Sequence, residues 1–344
     1  MAIGVGLIGF GPWGQVLYRE CMAHDAFELI CLHDRNESHQ QHAASLQPAP
    51  RVLSSPEEVI HHPKVDVVMI ATQMYEHKPL VFQSLKAGRH VWLEKPPCHH
   101  RTDAKQMDKM ARKEKRTLFV DHTQIYCSTF AMVKERVQSG ALGRIRQVRS
   151  WRANFGRFAS DTDVLGQLLY HDIYLVQNLF PQAEPLRVNS SGIDLMVHGQ
   201  WDTVTGSILL SNGVMVEMQA SLTHPEKVQS MTILGDKGVL IWEEHPRAEM
   251  RLFRHQVSDS RKRGRLEVHY DASPEIIVTS RKPSPVNRAL SHMAHCVEHG
   301  ERPQSGMPEA HQVLEWMRRM RGIHASANCQ APEAGSGIPP FKCE

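Results

Sequence analysis

The sequence lacks the closely spaced cysteine pairs that are typical of disulfide frameworks and zinc ribbons. Its 7 cysteines are scattered, and none stands in a Cys-x-x-Cys pair, which predicts reduced thiols and a cytoplasmic location. Histidine is plentiful, with 22 residues. However, the doublets His61–His62 and His99–His100 have no partners at the spacing of a zinc site. We therefore expect neither a disulfide framework nor a metal site.

Long apolar runs are also missing. No run reaches the roughly 18 residues that cross a bilayer, and the stretch MAIGVGLIGFG lacks the basic start of a signal peptide. The excess of positive over negative charge is small, with a formal net charge of +3. The basic cluster SRKRGRLE from Ser260 is more typical of a solvated hairpin loop than of a phosphate or nucleic-acid site. We expect neither a membrane span nor a nucleic-acid partner.

What the sequence does have is the size and composition of a two-domain globular protein. It has 344 residues, of which 41% are hydrophobic and 22% are charged. Over residues 1–120, short apolar runs such as VDVVMIAT alternate with helical stretches such as HKPLVFQSLKAG. This alternation predicts an α/β Rossmann domain, in which helices cover both faces of a doubly wound parallel sheet.

The pattern changes after residue 120. Residues 121–325 contain β-like runs with turns between them, among them the hairpin signal Asn212–Gly213. We predict a C-terminal α+β domain with a large, mostly antiparallel sheet, for substrate binding and oligomerisation. Residues 326–344 are rich in proline and glycine and are predicted to form a loose tail.

The segment GFGPWG has the spacing of a dinucleotide-binding loop. Gly9, Gly11 and Gly14 follow a strand-like run and open a helix. The first glycine allows a tight turn, the second lets a pyrophosphate approach the backbone, and the third permits close helix–strand packing. The phosphates would then lie at a helix N-terminus. We predict a cofactor site that includes Phe10 and Trp13 of this loop; the alternative is a glycine turn in an unliganded sheet.

The choice between NAD and NADP depends on two neighbouring residues. Asp34 ends the second strand-like run, 20 residues after Gly14. A carboxylate there accepts hydrogen bonds from ribose hydroxyls and repels a 2′-phosphate. Arg35 would attract that phosphate. We predict NAD, and NADP stays the open alternative.

A second motif, Glu94-Lys95-Pro96, follows an apolar strand-like run. Doubly wound folds bind their ligands at the carboxyl ends of the strands. A lysine at such an end can reach the nicotinamide and hold a substrate oxygen. The alternative is an ordinary surface lysine at a strand end.

These motifs, with DVVMIAT followed by His77, AGRHVWLEKP and SGALGRIRQV, resemble in content and order those of one family. It is the glucose–fructose oxidoreductase/inositol dehydrogenase/MocA (Gfo/Idh/MocA) family, and the resemblance covers about residues 3–322. It implies an NAD(P)-dependent oxidoreductase in which Lys95 is catalytic or positions the substrate. It also implies that Thr72 and Glu94 line the nicotinamide pocket.

The resemblance places the family's second catalytic element, commonly D-x-x-x-H, at GQLLYHDIY. The histidine falls on His171, and Gln167 stands in place of the aspartate. Residues four apart share one face of an α-helix, so both side chains would meet one ligand. A neutral imidazole is suited to removing a hydroxyl proton near pH 7, whereas Gln167 can only bind. The alternative for His171 is a structural role in the core.

The predicted activity is hydride transfer between the nicotinamide and a sugar, a sugar derivative or a cyclic polyol. The resemblance places four further side chains near substrate-facing segments: Tyr126, Arg152, Asn154 and Tyr170. The alternatives are a C=O or C=N reductase of secondary metabolism, a non-catalytic nucleotide-binding regulator and an NAD-dependent glycosidase. We also expect a homodimer or homotetramer through the C-terminal sheet, because runs such as GSILL and VMVEM offer apolar residues to its open face.

Overall fold

The computed structural model describes residues 2–156, 158–159, 161–244, 249–260, 265–270, 273–278 and 282–326. The centre of the predicted basic loop lies outside the described residues, as does the predicted tail from residue 327 onward. The described residues form two sheets, one of five strands and one of nine.

The first sheet is parallel throughout. Its strands are β1 (Ile3–Ile8), β2 (Phe27–His33), β3 (Val67–Ile70), β4 (His90–Leu93) and β5 (Leu118–Val120). Their spatial order is β2-β1-β3-β4-β5, and each neighbouring pair is parallel. Every residue of β1, β3 and β5 is buried, as expected for strands covered on both faces.

The helices of this half begin and end at ordinary sequence signals. They are α1 (Pro12–Met22), α2 (Glu37–Ala44), α3 (Pro56–His61), α4 (Met74–Lys86) and α5 (Arg101–Lys113). Ser55 caps α3, because its hydroxyl accepts a hydrogen bond from Glu58 N at 3.2 Å. Gly88 follows α4 at φ +76°, the left-handed conformation that ends many helices.

The second sheet is mostly antiparallel. Its strands are β6 (Ile145–Ala153), β7 (Pro185–Ile193), β8 (Thr203–Leu210), β9 (Met215–Ser221), β10 (Val228–Gly235), β11 (Gly238–Glu243), β12 (Glu249–Ser260), β13 (Arg265–Tyr270) and β14 (Glu275–Val278). Their order is β13-β12-β11-β10-β6-β9-β8-β7, with β14 on β12. Only the β6–β9 pair among the described pairs of this sheet is parallel. The predicted fold class is confirmed.

Further helices pack on these sheets. They are α6 (Ser128–Gln138), α7 (Tyr170–Leu179), α8 (Pro285–His299) and α9 (Met307–Ser326). Buried residues of α6, α7 and α9 share a hydrophobic core with the inner face of the second sheet. α8 joins the core of the first sheet instead, because Leu290 and Met293 cluster with Trp92. The predicted domain limits at residues 120 and 325 stay predictions.

The outer face of the second sheet, at which assembly is predicted, is mostly polar. In β8 and β9, the apolar side chains of Ile208, Val216 and Met218 are buried in the core. Side chains alternate between the faces of a sheet, so the positions between them point outward and mostly carry polar residues such as Ser207 and Glu217. Leu209 of GSILL and Met215 of VMVEM also face outward, so each run gives this face one apolar side chain, and the oligomer itself stays a prediction.

No helix in the described part of the chain is both long and apolar enough to cross a membrane. Within the same ranges, no group of three or more His, Cys, Asp and Glu side chains is placed to hold a metal ion. The described cysteines are buried free thiols: Cys21, Cys31, Cys98, Cys127 and Cys296.

Candidate active site

The glycine loop between β1 and α1 has the shape of a phosphate-binding turn. Gly9 has a φ of +97°, in the region that glycine favours. A Cβ on Gly14 would lie 2.1 Å from the carbonyl oxygen of Gly9, so this position has no room for a side chain. A Cβ on Gly11 would meet only His39, at 3.9 Å. The space in front of Gly11 is therefore open to a ligand at the N-terminus of α1.

Asp34 follows β2 and is 8% exposed. One carboxylate oxygen accepts a hydrogen bond from Phe10 N at 2.5 Å and lies 3.1 Å from His39 Nδ1. The other oxygen accepts a hydrogen bond from Asn36 N at 2.7 Å. Burial alone would raise the pKa of Asp34, but these hydrogen bonds hold that pKa below its usual value. Asp34 is therefore a fixed anion at the expected ribose position.

Arg35 is engaged by residues at the start of α4. Its guanidinium donates hydrogen bonds to the Tyr75 hydroxyl, to Glu76 Oε1 at 3.2 Å and to Gln73 Oε1 at 3.0 Å. The side chain stays 58% exposed. These three contacts hold the guanidinium of Arg35 against the start of α4.

A cleft of about 710 Å³ runs along the carboxyl edge of the first sheet. Its walls include Gly9, Gly11, Asp34, Arg35 and Thr72. The volume is in the range of ordinary small-molecule sites, roughly 300–1,000 Å³. The open loop, the fixed carboxylate and this cleft together fit the adenosine diphosphate part of a dinucleotide.

Lys95 joins the first sheet to the segment before α7. Its ammonium group donates a hydrogen bond to the backbone carbonyl of Gln167 at 3.0 Å. Burial lowers the pKa of Lys95 to about 8; the charges of Glu94 and Asp121 oppose this shift, and Arg152 adds to it. Lys95 is therefore charged at pH 7 and loses its proton in the mildly alkaline range.

The segment around Gln167 differs from the plain α-helix that the sequence predicts. Leu165–Leu169 form a π-helical turn, and α7 begins directly after it. Such turns have a wider i→i+5 hydrogen-bond pattern and are frequent at functional sites. The stretch from Gln167 to His171 therefore begins in a π-turn and ends in α7, where the sequence predicts one plain α-helix. The Gln167 side-chain amide donates a hydrogen bond to the Thr162 carbonyl at 2.9 Å.

His171 lies in a positively charged environment. Burial, followed by the charges of Lys95, Arg152 and His122, lowers the pKa of His171 well below its usual value. Within the described ranges, no hydrogen bond holds either ring nitrogen of His171. The neutral imidazole therefore has an acceptor nitrogen available for a ligand.

Tyr170 is fully buried beside His171. Its hydroxyl forms a hydrogen bond with His122 Nε2 at 2.7 Å, and His122 Nδ1 lies 3.0 Å from the Ser305 hydroxyl. The ring of Tyr174 stacks on His122 with centroids 3.8 Å apart. The hydroxyl of Tyr170 is thus engaged by the protein interior.

Two of the other predicted contacts are engaged in internal pairs. Arg152 is 4% exposed and binds Asp172 at nitrogen–oxygen distances of 2.8 to 3.1 Å. The hydroxyl of Tyr126 forms a hydrogen bond with His292 Nδ1 at 2.7 Å in the core of the first sheet. Asn154 is exposed directly after β6. Contact of these side chains with a substrate stays a prediction.

Two further residues of this cluster, Asp121 and His122, are not predicted from the sequence. They directly follow β5 in the way that Glu94 follows β4. The indole N–H of Trp13 donates a hydrogen bond to Asp121 Oδ2 at 2.8 Å, which ties the glycine loop to the same edge. Position alone could have found both residues, because ligands of parallel sheets bind at the carboxyl ends of the strands.

Comparison with known proteins identifies the class. Residues 3–122 match an oxidoreductase family with an NAD-binding Rossmann fold, and residues 130–241 match the GFO/IDH/MocA C-terminal domain. The chain belongs to the Gfo/Idh/MocA family of NAD-dependent oxidoreductases, and the resemblance seen in the sequence is confirmed.

Curated relatives include named dehydrogenases. D-glucoside 3-dehydrogenase of Escherichia coli (strain K12) is 23% identical in an alignment of 339 positions that covers 87% of this chain and 96% of that protein. Myo-inositol 2-dehydrogenase of Thermotoga maritima is 26% identical over 145 residues, which are 42% of this chain and 43% of that protein. The match to an uncharacterized oxidoreductase of E. coli, 28% identical, covers 45% of this chain and 44% of that protein. These last two matches span less than half of each relative.

Solved structures share the whole fold. UDP-N-acetylglucosamine 3-dehydrogenase from Acidithiobacillus ferrooxidans has a TM-score of 0.77 at 20% identity, over 94% of this chain and 97% of that one. Levoglucosan dehydrogenase, in complex with NADH and L-sorbose, has a TM-score of 0.78 at 19% identity, over 94% and 97% of the two chains. At these identities the likeness shows the fold alone.

Proposed function

We propose that this protein is an NAD-dependent dehydrogenase that moves a hydride between the nicotinamide and a sugar, a sugar derivative or a cyclic polyol. The observation that carries the proposal is the 3.0 Å contact of Lys95 Nζ with the Gln167 carbonyl, four residues before His171. An ammonium group of lowered pKa and a neutral imidazole thus lie together at the end of the cofactor sheet. The relatives named D-glucoside 3-dehydrogenase and myo-inositol 2-dehydrogenase support the substrate class.

The residues of the first sheet fit the dinucleotide. The open space at Gly11 would take the pyrophosphate, and Asp34 would accept hydrogen bonds from the ribose. Thr72 and Glu94 would line the nicotinamide end. When it is bound, NAD supplies the hydride acceptor. The fixed negative charge of Asp34 supports NAD over NADP, because it repels a 2′-phosphate.

His171 and Lys95 divide the proton chemistry of an alcohol oxidation. The neutral imidazole of His171 accepts the proton of the substrate hydroxyl. The Lys95 ammonium donates a hydrogen bond to the same oxygen and stabilises the negative charge that develops there. Gln167 orients the substrate, because a neutral amide forms hydrogen bonds but transfers no proton.

Lys95 is the second candidate for the base. Its pKa of about 8 makes the neutral amine available at mildly alkaline pH, whereas the low pKa of His171 weakens the imidazole as a base. The two assignments predict opposite changes in activity as Lys95 loses its proton.

A turnover screen tests the proposal. Purified protein is mixed with NAD or NADP and with a panel of sugars and cyclic polyols, and the nicotinamide absorbance is followed. Turnover is expected with NAD and at least one member of the panel. The screen is repeated in the reverse direction with NADH or NADPH and with C=O and C=N substrates. Tight nucleotide binding without turnover in either direction would favour a non-catalytic nucleotide-binding regulator. Glycoside cleavage without net NADH formation would favour the glycosidase.

Variants assign the roles once a substrate is found. Lys95→Ala and His171→Ala should each lower kcat by about 10²–10⁴-fold, the usual loss for a positioned acid–base group, while NAD affinity stays nearly unchanged. Gln167→Ala should mainly raise KM. If His171→Ala kept nearly full kcat with chemistry rate-limiting, the histidine would be structural and Lys95 would become the leading base.

The open face of the second sheet is also the proposed oligomer surface, and a homodimer or homotetramer is expected in the cytoplasm. Outward Ser207 and Glu217 lie on the same face as Leu209 and Met215, so this interface would be mixed in polarity. Sedimentation should give a species of at least twice the mass of the chain. A monomer at micromolar concentration would contradict the oligomer without bearing on the active site.

A further inference from the structure

Glu94 and Asp121 leave neighbouring strands side by side. Leu93 of β4 pairs in register with Val120 of β5, so the next residue of each strand, Glu94 or Asp121, emerges at the same edge. Parallel strands lie about 4.8 Å apart. The backbone also joins them here, because Asp121 N donates a hydrogen bond to the Leu93 carbonyl at 2.8 Å. Two acidic side chains therefore share one small space next to Lys95.

The hydrogen bonds of these two groups leave one oxygen without a donor. Asp121 accepts hydrogen bonds from Trp13 Nε1 at 2.8 Å and from Thr123 N at 3.2 Å. Glu94 Oε2 accepts one from Lys95 N at 3.2 Å. Glu94 Oε1 is buried, and no N–H or O–H donor within the described ranges reaches it. A buried oxygen in this state needs an explanation.

A proton on Glu94 accounts for the arrangement. The in-register ends of β4 and β5 bring the Glu94 carboxyl group beside that of Asp121, and a hydrogen bond with Asp121 is one of the contributions that raise the pKa of Glu94. Ionised carboxylates only accept hydrogen bonds, so a bond between two carboxyl groups requires a proton on one of them. Asp121 already receives two N–H donors, an arrangement that suits a carboxylate. Burial, followed by the charge of Asp121, raises the pKa of Glu94 well above its usual value.

We infer that Glu94 and Asp121 share one proton, with Glu94 as the neutral donor, and that this pair presents a single negative charge to Lys95. Both act as positioning residues for the ammonium group. This role rests on the proposed function, whereas the protonation of Glu94 does not.

The charge of Lys95 depends on groups from every neighbouring element. These groups are Glu94 after β4, Asp121 and His122 after β5, Arg152 of β6, and His171 of α7. Arg152 is already paired with Asp172. The Glu94–Asp121 pair is therefore the negative charge that keeps Lys95 protonated at neutral pH, and one charge rather than two leaves Lys95 able to titrate.

Infrared spectroscopy of the full-length protein without substrate tests the shared proton directly. At pH 7, the spectrum of the unchanged protein minus that of Glu94→Gln should show the C=O stretch of a protonated carboxyl group. In Asp121→Asn the same band should shift, because the Glu94 carboxyl group loses the carboxylate that accepts its hydrogen bond. A difference spectrum with only ionised carboxylate bands would overturn the inference. This readout needs no turnover, so it stands or falls separately from the proposed dehydrogenase activity.

The pH profile of the active enzyme tests the role toward Lys95. The basic limb of kcat/KM should keep its position in Glu94→Gln, whatever the size of kcat, because an amide replaces an acid that was already neutral. In Asp121→Asn the limb should move to lower pH, since the negative charge of the pair is lost. In the double variant it should also move to lower pH. If Glu94→Gln alone moved the limb down as far as the double variant, Glu94 would be the ionised partner and the assignment would be wrong.

Discussion

A methyl group added at Gly14 should lower the stability of the protein, whereas one added at Gly11 should lower its affinity for NAD. At Gly14 the added Cβ would lie 2.1 Å from the carbonyl oxygen of Gly9 and 2.9 Å from its carbon. Both are backbone atoms, so α1 would have to move away from β1. Overpacking of this kind costs about 1–3 kcal/mol, and we expect Gly14→Ala to reach the upper end of that range.

At Gly11 the added Cβ would lie 3.9 Å from His39, an ordinary van der Waals distance. Gly11 has a φ of −64°, which alanine adopts without strain, so the stability of the free protein should hold or rise slightly. The methyl group would stand where the pyrophosphate approaches. NAD affinity should therefore fall by more than about tenfold, or 1.4 kcal/mol.

Urea unfolding without nucleotide and calorimetric titration with NAD separate the two effects. Gly14→Ala should lose stability, while Gly11→Ala should lose NAD affinity at unchanged stability. If Gly11→Ala bound NAD like the unchanged protein, the pyrophosphate would not lie at this loop. If Gly11→Ala lost as much stability as Gly14→Ala, the packing argument would be wrong.

Two further predictions concern charge. Asp34→Ala should reduce the difference in affinity between NAD and NADP, because it removes a fixed anion that repels a 2′-phosphate. Calorimetry that found tighter binding of NADP than of NAD to the unchanged protein would contradict this prediction. Asp172→Asn should lower the free energy of unfolding by about 3–5 kcal/mol, because it leaves the guanidinium of Arg152 buried without its counter-charge. The exposed ion pair between Arg149 and Glu217 is the control. Arg149→Ala should lower the free energy of unfolding by at most about 1 kcal/mol in the same urea titration. Equal losses of stability in both variants would refute the explanation by burial.

The parallel sheet and its glycine loop could be predicted from the sequence because their signals are local. The strands of the first sheet are short and almost wholly apolar, and the glycines stand at the spacing of a dinucleotide-binding loop, directly after a strand and before a helix. Asp34 was placed by the same logic, at the end of the next strand. Each of these inferences needed only a few neighbouring residues.

The rest of the site depends on contacts between distant parts of the chain. The π-helical turn at Leu165–Leu169 has no local signal, since an α-helix and a π-helix accept the same residues. The pairing of Arg152 with Asp172 and the place of Asp121 beside Glu94 follow from sheet register and helix packing. The direction of the apolar side chains in β8 and β9 likewise depends on which face the helices cover, and the sequence pattern alone does not show this.

The dependence of kcat/KM on pH, measured at saturating NAD from about pH 6 to pH 10, tests the division of roles between Lys95 and His171 most directly. The pKa of Lys95 is lowered to about 8, so the ammonium form is present below that pH and disappears above it. If the ammonium group holds the substrate oxygen while His171 takes the proton, kcat/KM should fall about tenfold per pH unit at pH values above the pKa of Lys95. Lys95→Arg, which stays charged over this range, should be less active but should not show the fall. A kcat/KM that instead rises through pH 8 and then levels off would make neutral Lys95 the base and contradict the account.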